Sequence, residues 1–83
     1  MTLSAVSVYI LRWLYAHGKV GNAYTNMRNL RHALPVRLRD KTIINRSVKE
    51  LRNAQLIIIH KKGDCISLNP HRLSETEVKH ILV

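Results

Sequence analysis

The stretch Ile44-Asn45-Arg46-Ser47-Val48-Lys49-Glu50-Leu51-Arg52-Asn53-Ala54-Gln55-Leu56-Ile57 contains both a helical and an extended pattern. At 100° per residue Ile44, Val48 and Leu51 fall within about 60° of one another, while Thr42, Arg46, Lys49 and Asn53 gather on the opposite side, with Asn45 at its edge. One face is apolar and the other is made of hydrogen-bonding and cationic groups. Asp40 stands ahead of the pattern as N-cap, so a helix is expected over residues 40–53. The period then changes. Residues 56–59 are apolar and mostly β-branched, His60-Lys61-Lys62-Gly63-Asp64 is turn chemistry, and Cys65-Ile66-Ser67-Leu68 follows. Two strands around a basic turn read as a β-hairpin that Pro70 ends.

Upstream, Leu3, Val6, Ile10, Trp13 and Leu14 recur at helical steps, with Ser4 or Thr2 as N-cap and Gly18 just past the end. Tyr9 and Ala16 widen the apolar face of this first helix, which suggests burial on two sides. After a turn at Gly18 and Gly21 and a short extended bridge at Ala23-Tyr24, Thr25 is expected to cap a second helix of about ten residues. Met27, Leu30, Ala33 and Leu34 form its buried side. Pro35 stops it, because a residue before proline avoids the helical region. Downstream, Ser74 with Glu77 reads as a capping box and Leu73 with Val78 as a hydrophobic staple, opening a last short helix striped with Val78, Ile81 and Leu82.

The order helix, bridge, helix, turn, helix, basic hairpin, helix resembles a winged helix-turn-helix domain. The stretch from Ile44 to Ile57 resembles the recognition helix and first wing strand of MarR- and ArsR-like transcription regulators and their archaeal relatives. Ile44, Val48, Leu51, Ala54, Leu56 and Ile57 occupy the matching apolar and small positions. Gln55 departs from the pattern, standing where the family usually has glycine at a left-handed helix end. Either a glutamine there costs about 1 kcal/mol, or the turn is built differently. The fold expected is α+β and mainly helical: a three-helix core, a two-stranded hairpin wing and a short C-terminal helix, in one domain over residues 1–83.

Charge points to the partner. Fourteen Lys and Arg against five Asp and Glu give +9, with a pI near 10.5, and residues 28–62 hold ten of those cations beside only Asp40 and Glu50. A polyanion is the partner such a surplus attracts. The single Cys65 excludes an internal disulfide and a four-cysteine zinc site. The histidines show no metal-ligand spacing, and the five acids form no paired carboxylates. No enzymatic activity, metal or cofactor is expected. No apolar run approaches the length of a membrane span, so an intracellular, cytoplasmic or nucleoid-associated protein is expected.

The resemblance implies double-stranded DNA as partner and transcriptional regulation as role. The helix over 40–53 would enter the major groove, and the wing over 60–64 would follow the backbone or minor groove. Thr42, Asn45, Arg46 and Lys49 are then the base contacts: Arg46 suits guanine O6 and N7, and Asn45 suits adenine N6 and N7. Phosphate contacts would come from Thr25, Arg28, Arg31, Arg37, Arg39, Lys41, Lys61 and Lys62. A homodimer is expected through Val6, Tyr9, Trp13, Val78, Ile81 and Leu82, since so small a chain hardly covers both apolar stripes by itself. In the alternative, the last helix folds back over the first and leaves a monomer. Competing functions are a protein- or RNA-docking module of a larger complex and a nonspecific architectural DNA-binding protein.

Overall fold

Ser4 accepts a hydrogen bond from the backbone N–H of Ser7 and opens helix α1 (Ala5–Ala16) in a computed structural model that describes residues 3–82. Thr2, the other candidate cap, lies outside them. The helix closes where Gly18 turns left-handed (φ +66°). Its N–H bonds Tyr15 O at 3.1 Å while that of Lys19 bonds Leu14 O at 2.9 Å, which together satisfy carbonyls a helix end leaves bare.

The next elements correct two expectations. Thr25 does not cap the second helix; it lies in a two-residue strand, β1 (Thr25–Asn26), and is 5% exposed. Asn26 is the cap, its side-chain Oδ1 accepting from Asn29 N at 2.8 Å. Either residue type can do this, and strand pairing decides between them: Thr25 faces Ile66 and Asn26 faces Cys65. Helix α2 (Met27–Ala33) has seven residues rather than ten. Leu34 is already extended (ψ 145°) ahead of Pro35, as proline's ring requires. A 3-10 turn over Val36–Leu38 leads to Asp40, whose carboxylate caps α3 (Lys41–Asn53) by accepting from Thr42 N and Ile43 N.

Strands β2 (Ile57–His60) and β3 (Cys65–Leu68) pair antiparallel, with Ile57 opposite Leu68 and His60 opposite Cys65. The expected hairpin is thus present. With β1 added, the sheet has three antiparallel strands in the order β1-β3-β2, one more than expected. A two-residue strand has no periodicity to reveal it, and only its pairing with β3 makes it one. After a 3-10 turn over Pro70–Arg72, α4 (Thr76–Leu82) begins two residues beyond Ser74. Ser74, the expected cap, thus stands one residue ahead of Glu75, whose carbonyl opens the helix. The first turn of α4 bonds Lys79 N to Glu75 O at 2.9 Å. The glutamate's carboxylate pairs with the Arg72 guanidinium, holding the Arg72 pKa above its ordinary value through that hydrogen bond.

The architecture is α+β, with four helices and one small sheet among the described residues. Helix α1 is its axis: Ile10, Leu11 and Leu14 are fully buried among Leu30, Leu51, Leu56, Ile66 and Leu68. Helices α3 and α4 and strand β3 all pack on it. Val78 is buried in this core, as is Val6, and Arg12 Nε donates to Ile81 O at 2.7 Å. The last helix does fold back over the first. Val6 and Val78 are consequently spent inside the subunit, a correction to their expected place between copies, whereas Tyr9, Trp13, Ile81 and Leu82 stay half-buried. Val83, in the same stripe, lies outside the described residues. No helix among them is long and apolar enough to cross a membrane.

Candidate nucleic-acid interface

Helix α3 presents its polar side because three devices fix its rotation. Ile44 and Leu51 are buried on one face. Between them Ser47, 2% exposed, joins a small polar seam: its carbonyl accepts from Ser7 Oγ at 3.4 Å, and its hydroxyl lies 3.3 Å from that of Ser4. Glu50 Oε1 accepts from Ser4 N at 3.1 Å and ties the same helix to the start of α1. Sequence reasoning found the apolar stripe and missed this seam, although position 47 falls on the buried arc. A serine there reads as surface until its partner hydroxyls are known.

The far end of α3 is set by Gln55, which adopts φ +61°. Its N–H bonds Arg52 O at 2.9 Å, and that of Leu56 bonds Leu51 O at 3.0 Å, the same double closure seen at Gly18. Asn69 Nδ2 donates to Gln55 O and Arg72 Nη1 to Ala54 O, so two side chains from beyond β3 brace the junction of helix and hairpin.

So oriented, α3 exposes all four expected base-contact residues: Thr42, Asn45, Arg46 and Lys49. They divide between two surfaces. Asn45 and Lys49 line a groove of about 580 Å³ between α2, α3 and the hairpin, whereas Thr42 and Arg46 lie outside it. Lys41 and Arg31, expected as phosphate contacts, line the same groove, and so does Arg52, which the sequence reading had not assigned. At 100° per residue Arg52 falls near Lys41 and Asn45 on the helix surface, a signal that was available. The floor is apolar, with Met27, Val48 and Ile59, and the hairpin rim contributes Gly63 and Asp64.

The remaining expected contacts scatter. Arg28 and Arg37 are exposed, one on α2 and one in the following turn. Arg39 is engaged elsewhere: Nε donates to Leu34 O at 2.8 Å and Nη2 to His32 O at 2.9 Å, covering the carbonyls at the end of α2. Thr25 is buried and offers no hydroxyl to a phosphate. Lys61 and Lys62 form the hairpin tip, both with left-handed backbones (φ +53° and +56°). Lys61 Nζ lies 6.0 Å from the centre of the Tyr24 ring, which stacks on His60 at 4.6 Å.

The acids explain why this face is so positive. Asp40 caps α3, Glu50 holds the N-terminus of α1 and Glu75 pairs with Arg72. None of these three interactions involves a groove cation, and Asp64 is the acid that lines that groove. No group of three His, Cys, Asp or Glu among the described residues could hold a metal ion. The chain matches no protein-family model, no curated protein and no solved structure.

Proposed function

We propose that this chain is a winged helix-turn-helix protein that binds double-stranded DNA sequence-specifically and acts as a transcriptional regulator. In this reading α3 enters the major groove, the β2–β3 hairpin is the wing, and a phosphodiester strand runs through the groove between them. One observation carries it: Arg31, Lys41, Lys49 and Arg52 converge on one concavity, while three of the five acids serve capping or pairing roles elsewhere. A charge coat that only aids solubility would have no reason to be concave or to draw on two helices.

Arg46 and Lys62 then have different roles. Arg46→Ala should cost about 1–3 kcal/mol on a preferred duplex and little on random duplex, while Lys62→Ala should weaken both alike. Selection of bound duplexes from a random pool supplies the preferred sequence. If neither change alters duplex binding, the docking alternative replaces this reading. If no sequence is preferred, an architectural DNA coat does.

A homodimer belongs to the same proposal, now across Tyr9, Trp13, Ile81 and Leu82. These four remain half-buried along α1 and α4 after the core is complete. Two-fold symmetry would place half-sites about 34 Å apart. Light scattering at micromolar concentration tests this, and a mass of 9.6 kDa would remove the dimer.

A further inference from the structure

Ile43 has no structural task that accounts for its chemistry. It is 43% exposed in the first turn of α3, one of four large apolar side chains so exposed among the described residues, and the one that lies on this helix. Its exposed neighbours on the helix surface, Thr42 and Arg46, are polar. Ile43 stands outside the buried core and outside the side chains packed against it. At 100° per residue Ile43 lies about 60° from Arg46, on the edge of the helix turned away from Lys41, Asn45 and the groove.

The surroundings select what can cover it. Arg46 is an exposed cation on the same side of α3 and Arg37 is exposed in the turn before it, while the acids nearest on the chain and on the helix surface, Asp40 and Glu50, are committed to the helix cap and to Ser4 N. An occupant must therefore be anionic around its edge and apolar at one point inside. Duplex DNA has that combination, since its major groove displays a single apolar group, the C5-methyl of thymine, among hydrogen-bonding edges and flanking phosphates. Resting on the DNA-binding reading above, we propose that Ile43 packs against a thymine methyl beside the base pair met by Arg46. Thymine thereby becomes a preferred letter of the recognised sequence. Ile43 adds discrimination by shape where its polar neighbours add it by hydrogen bonds.

The test replaces thymines one at a time by deoxyuridine in duplexes that the full chain selects from a random pool. Deoxyuridine removes the methyl and nothing else. One replacement per half-site should weaken binding about fourfold, the worth of one buried methyl, and the others should leave it unchanged. Ile43→Ala should bind the thymine and deoxyuridine duplexes equally, while Ile43→Val should keep most of the difference. Circular dichroism of both variants should match the parent, because the side chain lies outside the core. If every replacement is silent while sequence preference persists, or if Ile43→Ala keeps the full difference, the assignment of Ile43 is overturned and the DNA-binding reading stands. Equal binding to selected and random duplexes overturns both.

Discussion

Asn69 Nδ2 donates to the backbone carbonyl of Gln55 at 2.8 Å, and Asn69 N donates to Leu56 O at 3.0 Å. One residue from the end of β3 thus grips both sides of the corner where α3 becomes β2. The corner is strained, since Gln55 holds φ +61° and a side chain in the left-handed region costs roughly 1–2 kcal/mol. Its exposed side chain gives nothing back to the core. Gln55→Gly should raise the unfolding free energy by about 1 kcal/mol, after allowing for glycine's greater freedom in the unfolded chain. Gln55→Val should lower it, and urea titration reads both. A glycine variant less stable than the parent would show that the turn is held by something other than its backbone angle.

Arg37 and Arg39 stand two residues apart in one basic turn, but they are bound differently. Arg39 reaches the carbonyls of Leu34 and His32, whereas Arg37 is exposed. Arg39→Ala should therefore cost about 1–2 kcal/mol of stability, as charged hydrogen bonds to helix-end carbonyls do. Arg37→Ala should stay within about 0.5 kcal/mol of the parent. Equal thermal midpoints for the two variants would count against the capping role.

At the hairpin tip, stability and binding should move in opposite directions. Lys62 holds φ +56°, so Lys62→Gly relieves a left-handed side chain and should stabilise the domain by about 1 kcal/mol. The same change removes a cation from the wing and should weaken binding to any duplex. A variant that is more stable and binds equally well would remove Lys62 from the interface.

Salt dependence separates a phosphate-binding groove from a diffuse charge coat. If six to eight cations meet phosphates, log K should fall against log salt with a slope of about −5 to −7. Arg52→Ala should make that slope shallower by about 1 on selected and random duplexes alike. Asp64→Asn, at the groove rim, should strengthen binding on both. An unchanged slope for Arg52→Ala would place the phosphate path elsewhere.

Helices α1 and α3, the Asp40 cap, the stop at Pro35 and the hairpin could be read from the chain alone, because each rests on contacts within a few residues. The polar face of α3 was legible for the same reason: helical periodicity places Thr42, Asn45, Arg46 and Lys49 opposite Ile44 and Leu51 whatever surrounds them. The rest depended on contacts between distant parts of the chain. Thr25 became a strand residue through β3, forty residues away. Arg39 and Arg72 became helix caps because bare carbonyls came within their reach. Val78 was buried by the return of α4 onto α1, and Arg52 joined Arg31 and Lys41 because α2, α3 and the hairpin meet at one groove. A periodic pattern reports which way a side chain points from its own element; what it then meets depends on where the chain places its other elements.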